Sequence, residues 1–112
     1  MVVITINSSD SWFCPNWAFR SLVGAIRPHL PIEEASHSQL SQALENAGRI
    51  GLLDVKSFSL EEFQLLTECL RKARADFVTA GAESWRGPEY FQPFVDSLDE
   101  LIRLCEKDAR NN

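Results

Sequence analysis

The sequence predicts a mainly α fold: a compact bundle of about four helices with one or two short N-terminal or central β-strands. Three observations carry that prediction. Apolar residues recur at helical spacing in four separate stretches. Cap signals bracket those stretches at Ser36, Gly48, Ser59 and Gly81. The one run that is β-branched at every position, Val2 to Ile6 (VVITI), is only strand-length. Helices packed around a single core are the arrangement such a pattern favours.

The elements follow in order. VVITI reads as a strand, because β-branched side chains are stiff at χ1 and prefer extended backbone. Asn7, Ser8, Ser9 and Asp10 then supply turn chemistry. Pro15 suits a first helical position, where its missing N–H would have no partner anyway. Phe19, Leu22, Val23 and Ile26 form one buried face of that helix, and Trp12 extends the stripe backwards. Ala18, Ser21 and Ala25 make a face of small residues open to close approach by another helix. Pro28 disfavours helix at Arg27 and ends the element. Residues 29–35 connect to a second helix, opened by the Ser36–Gln39 capping pattern, striped by Leu40, Ala43, Leu44 and Ala47, and stopped by Gly48.

Residues 50–58 (IGLLDVKSF) fit either a strand pairing with Val2–Ile6 or an extended buried connector. The third helix is the best specified. Ser59 and Glu62 form a capping box, with Phe58 and Phe63 at the staple positions. Phe63, Leu66, Leu70, Ala73 and Phe77 face the core, and Gly81 stops the helix. The last helix carries Phe91, Phe94, Val95, Leu98, Leu101, Ile102 and Cys105. Pro93 cannot sit inside a regular helix, so the spacing predicts either a kinked helix opened by Pro88 or, in preference, a short turn at 88–92 and a helix from Pro93.

The totals narrow the function. A chain of 112 residues suits one domain, 1–112, with the polar end 108–112 (DARNN) expected to fray. The net charge of −5 disfavours nucleic acid and anionic membrane, and suits a basic protein partner. The N-terminus has the pattern of a strand rather than of a signal peptide, and no apolar run approaches bilayer length, so the expected location is cytoplasmic. Cys14, Cys69 and Cys105 lack metal-ligand spacing and read as reduced thiols, two of them core-facing. Cys14 precedes a helix N-terminus, which lowers a thiol pKa, and with His29 or His37 it would be the one candidate nucleophile. No glycines flank it for an oxyanion loop, so no catalytic residue, metal or cofactor is assigned.

The remaining signal is the segment 83–94, ESWRGPEYFQPF. Phe91 and Phe94 belong to the core stripe. Trp, Tyr and Arg are the types enriched at interface hot spots, which makes Trp85, Arg86 and Tyr90, with Glu83 and Glu89, a candidate partner-binding surface. Asp96, Asp99 and Glu100 extend it along the last helix. Residues 81–112 hold a net charge of −3, against −1 for each of 1–40 and 41–80, so the acidic excess coincides with these aromatics. Trp17 lies off its own helix's apolar stripe and is the next place to look.

In size, acidity and cysteine usage the chain resembles the small bacterial immunity proteins of toxin–immunity pairs. That resemblance implies a cytoplasmic, non-enzymatic protein that neutralises one cognate toxin, often a basic nuclease. The alternatives are a structural or adaptor subunit of a larger bacterial assembly, using the Ala18–Ser21–Ala25 face, and a small enzyme using Cys14. Oligomeric state is left open.

Overall fold

The computed structural model of the chain describes residues 1–30, 35–85 and 87–111, and for 35–39 the backbone alone. The Ser36–Gln39 capping pattern, the His37 side chain and Arg86 lie outside the described residues. Among the described residues the fold is mainly helical, with four α-helices and a small three-stranded sheet. The strands are β1 (Val2–Thr5), β2 (Ser11–Cys14) and β3 (Leu52–Asp54). The helices are α1 (Asn16–Ile26), α2 (Ala35–Ile50), α3 (Leu60–Ala80) and α4 (Phe91–Lys107).

The sheet order is β2-β1-β3. β1 runs antiparallel to β2, with Val3 opposite Phe13 and Thr5 opposite Ser11. It runs parallel to β3, with Val3 opposite Leu52 and Thr5 opposite Asp54. This settles residues 50–58: Leu52–Asp54 is a strand paired with the N-terminal one. The β1–β2 turn is held by Asn7, whose Oδ1 accepts from the backbone N–H of Ser9 (2.9 Å) and of Asp10 (2.8 Å). Val2, Ile4, Ile6, Trp12, Cys14 and Leu53 point to one face and join a core built with Phe19, Leu22, Leu40, Phe63, Leu66, Leu70, Leu98 and Ile102. Period-two alternation thus buries one side of every strand.

Four expectations need correction. Trp12 is buried as expected, but on β2 rather than on a backward extension of α1. Its indole N–H donates to the Ser97 carbonyl at 2.8 Å, which ties the strand to α4. Gly48 does not stop α2. The helix runs to Ile50, and Gly51, at φ +81°, takes the left-handed position, its N–H bonded to the Ala47 carbonyl at 2.8 Å. A 3₁₀ turn, Pro88–Tyr90, precedes α4, which begins at Phe91 rather than at Pro93. Pro93 is then the third helical residue, still within the first turn, where N–H groups have no intrahelical acceptor. Phe91 is half-buried outside the main cluster, while Phe94 is core.

The tail is bonded to the body of the fold. Ala109–Asn111 form a 3₁₀ turn, and Asn112 lies outside the described residues. Asp108 is buried, and its carboxylate accepts from Arg110 Nε (2.9 Å), the Arg110 backbone N–H (3.0 Å) and Asn7 Nδ2 (2.8 Å). The same guanidinium donates to the carbonyls of Ile6 (2.7 Å) and Val55 (2.8 Å) and lies 3.8 Å above the Phe63 ring. Asn111 Nδ2 donates to the Cys105 carbonyl at 2.8 Å and to Thr67 Oγ1 at 3.1 Å. The tail therefore closes the ends of β1 and α4 over the start of α3.

The α3 signals hold as read. Ser59 Oγ accepts from the Glu62 N–H (3.2 Å) and Glu62 Oε1 from the Ser59 N–H (3.4 Å). Gly81, at φ +82°, ends the helix.

Candidate functional site

The segment after α3 is built around Trp85. Gly81 turns the chain out of the helix, and Ser84 Oγ bonds back to its carbonyl at 2.8 Å. Trp85 then stacks on Phe94, with centroids 4.9 Å apart and planes at 29°. Phe77 and Phe91 meet it edge-on at 5.4 and 5.8 Å. Stacking on Phe94 and edge contacts with Phe77 and Phe91 hold the indole in place. Trp85 is therefore half-buried and packed against the core, not a free anchor outside it.

Above it the aromatic cluster opens to solvent. Trp17, on the outer side of α1, meets Trp85 at 6.1 Å and 65° and Tyr90 at 6.3 Å and 58°. Trp17 is 48% exposed and Tyr90 57%. Between them runs a groove of about 1300 Å³, with Pro15, Arg20, Ser21, Phe77, Ser84 and Glu89 also along its walls. Gly87 sets the Tyr90 ring: a Cβ there would stand 2.7 Å from Tyr90 Cδ2, closer than real side chains come. Glycine at 87 thus lets the ring pack flat on the backbone that carries it, and the Tyr90 N–H closes the turn on the Gly87 carbonyl at 2.8 Å.

The sequence-assigned surface divides in two. Trp85, Glu89 and Tyr90 come together at the groove, with Glu83 exposed one residue before its Ser84 wall. The α4 acids point elsewhere and are largely engaged. Asp99 is ion-paired with Arg74 of α3, whose Nη2 lies 3.3 Å from Asp99 Oδ2. Glu100 pairs with Arg103 at 2.5 Å, and that bond holds its carboxyl below the usual range. Asp96 accepts from Gln92 Nε2 at 2.8 Å. Glu100 lines a second, smaller depression beside β2, with Asp10, Phe13 and Lys107. Among the described residues, Glu83, Glu89 and Asp96 are the acids of this surface without an ion pair.

Trp17 is the residue that sequence reasoning left out of the site. Its signal was present: it sits off the Phe19–Leu22–Val23–Ile26 stripe, so burial of that face turns it outward. Arg20, one turn on, follows for the same reason. The small-residue face of α1 is divided between core and groove wall. Ala18 is buried in the core and Ala25 packs against it, while Ser21 Oγ donates to the Trp17 carbonyl at 3.1 Å.

The thiols occupy another environment. Cys14, Cys69 and Cys105 are all buried. Burial pushes Cys14 up to about 11 and Cys105 up to about 12. For Cys14, desolvation, which disfavours the thiolate, outweighs the lowering pull of the Met1 amino terminus. His29 is engaged with Asp76 at 2.6 Å across the α1–α3 side. Among the described residues no group of three His, Cys, Asp or Glu side chains is placed to hold a metal ion. No described helix is long and apolar enough to cross a membrane.

Comparison with protein-family models, curated proteins and solved structures gives no match to this chain.

Proposed function

We propose that this is a non-enzymatic protein that binds a protein partner through the Trp17–Trp85–Tyr90 groove. In its most specific form it is an immunity protein that neutralises a basic, nuclease-type toxin. One observation carries the reading: Trp17 and Tyr90 stay half-exposed in ring contact with each other, Trp17 resting on the packed Trp85, beside carboxylates for which the described residues show no ion pair. Exposed aromatics on a rigid base are the usual hot-spot residues, because they cover area at little entropy cost. Glu83 and Glu89 at the rim, with a net charge of −5 behind them, steer a basic surface toward them.

The test uses surface-immobilised kinetics against the product of the neighbouring gene at two salt concentrations. Trp17→Ala and Tyr90→Ala should each speed dissociation, with a loss of about 2 kcal/mol or more. Glu83→Lys with Glu89→Lys should slow association, chiefly at low salt, because exposed charges act on encounter and are screened. A Trp17→Ala/Tyr90→Ala double variant that binds and dissociates like wild type rules the groove out.

A further inference from the structure

The two edges of the sheet are finished differently. The phase of the β1–β2 ladder is fixed by the Ile6 N–H, which donates to the Asp10 carbonyl at 3.0 Å. Bonded and non-bonded partners alternate along an antiparallel pair. With Ile4 opposite Trp12 and Val3 opposite Phe13, the main-chain groups of Trp12 and Cys14 turn toward β1. Those of Ser11 and Phe13 turn to the open edge, where no partner among the described residues bonds to them. Pro15, the next residue in that phase, brings no N–H, so the open stretch ends there. On the other edge the Val3 N–H bonds to the Gly51 carbonyl at 2.9 Å, which turns Leu52 and Asp54 outward. There the Asp54 carbonyl accepts from the Ser57 hydroxyl at 2.9 Å and its carboxylate from the Lys56 N–H at 3.1 Å. The β3 edge is partly closed by its own chain, and the β2 edge is open.

We propose that β2 takes up an extended segment of a partner protein as a fourth strand, laid in the depression between β2 and α4. Three features select this occupant. The open groups are two N–H and two C=O at alternate residues of a straight edge. Extended backbone presents the matching donors and acceptors, whereas a helix spends its own internally. The space beside the edge also has the right size. It measures about 570 Å³ and is walled on its far side by Ser97, Glu100, Arg103 and Lys107 of α4. One strand of four residues, at standard rise and spacings, fills roughly 650 Å³. Finally, the charges of the depression are matched within it: Lys107 lies 3.3 Å from Asp10, and Arg103 pairs with Glu100. Main-chain bonding rather than net charge therefore selects what lies there. The side chains of the segment follow from alternation. Its residue beside Phe13, which is 62% exposed, is β-branched or aromatic and shares the outer face. Its residue beside Trp12 points toward Ser97 and the Glu100–Arg103 pair and is polar. Trp17, Trp85 and Tyr90 take no part, so the proposal does not rest on the groove.

The experiment selects random linear peptides by display against the full chain, and resynthesises those enriched as probes. They should shift the Ser11 and Phe13 amide resonances and slow the exchange of both amides. Methylating peptide nitrogens at alternate residues separates strand addition from side-chain docking. One alternate set should weaken binding about tenfold and the other should leave it unchanged, because only one set of N–H groups faces β2. On the protein, Ser11→Pro removes an outward N–H without touching the β1 ladder, as edge strands tolerate. It should weaken binding about tenfold with native circular dichroism, while Ser11→Ala, which keeps the N–H, and Trp17→Ala should bind like wild type. If Ser11→Pro does not fold, the methylated peptides still decide on the wild-type chain. No enriched peptide, peptides that leave the Ser11 and Phe13 amides unmoved, or equal loss from both methylation sets overturns the proposal. A wild type that sediments as a dimer and a Ser11→Pro variant that sediments as a monomer also overturn it, and give the edge to a second copy.

Discussion

The tail 108–111 and the aromatic segment 85–91 reverse what their compositions suggest. The tail is almost wholly polar, yet Asp108 is buried and Arg110 is largely enclosed. The aromatic segment is rich in large apolar rings, yet Tyr90 stays mostly in solvent and Trp85 is only half covered. The difference lies in which partners each finds. The tail's charged groups find complements: the carboxylate takes Arg110 and Asn7, and the guanidinium takes the Ile6 and Val55 carbonyls. Burial costs a charge little when the hydrogen bonds lost to water are replaced. The aromatic segment has one ring, Trp85, seated on the core. The Phe94 and Phe77 rings fill the space beneath it, and nothing is left for Trp17 and Tyr90 to pack under. Polarity alone does not place a residue, and a satisfied site does.

The comparison breaks most sharply at Arg110. Arg110→Ala takes the guanidinium from the buried Asp108 carboxylate and from the Ile6 carbonyl, while the Val55 carbonyl keeps the Phe58 N–H. A loss of about 3–5 kcal/mol in urea unfolding is expected, the scale of removing one member of a buried ion pair. A loss under about 1 kcal/mol would show the tail to be an ornament, as its composition suggested.

Next comes Trp85→Ala, which should cost about 2–3 kcal/mol in the same melts, because the indole supports Phe94 and Phe77 as well as the groove. This separates Trp85 from the residues above it, and makes it a poor choice for testing binding.

The tail also has a pH signature. The Arg110 hydrogen bond holds the Asp108 carboxyl well below the usual carboxylate range, aided by Asn7 and opposed by burial. A depressed folded-state pKa stabilises above the unfolded value, and the contribution is lost as pH falls toward the folded one. Asp108→Asn should therefore be less stable than wild type by about 1–3 kcal/mol at neutral pH. The gap should narrow as pH drops below about 4. A gap that stays constant down to about pH 2 would mean that shape rather than charge holds the tail.

The smallest expected effect is at the open end of the groove. Trp17→Ala and Tyr90→Ala should each change folding stability by no more than about 0.5 kcal/mol, as exposed positions do. Gly87→Ala should also preserve the fold while displacing the Tyr90 ring, seen as a changed near-ultraviolet circular dichroism spectrum. If Tyr90→Ala destabilises as much as Trp85→Ala, both rings are structural and the contrast with the tail collapses.

The sequence by itself determined the helices and which side of each is buried. Periodicity and caps act within one or two turns, so Phe63, Leu66 and Leu70 declare a buried face, and Ser59, Glu62 and Gly81 declare the ends, without knowledge of what they pack against. It also placed Trp85 and Tyr90 near one another, since they are five residues apart. Tertiary structure decided what depends on distant partners. Trp12 has a helical spacing to Phe19 as well as a strand position, and only pairing of Ser11–Cys14 with Val2–Thr5 chooses between them. Leu52–Asp54 is a strand because β1 lies beside it, across nearly fifty residues of intervening chain. Asp99 became a seam residue rather than a free acid when α3 brought Arg74 to it. Trp17 joined the groove when α1 packed beside residues 85–90. The tail is bonded to the body of the fold because Ile6, Val55 and Phe63 meet at one point. Local preferences are properties of neighbouring residues, whereas hydrogen-bond satisfaction and burial are properties of the assembled chain, and the second set selected the surfaces that are free to bind.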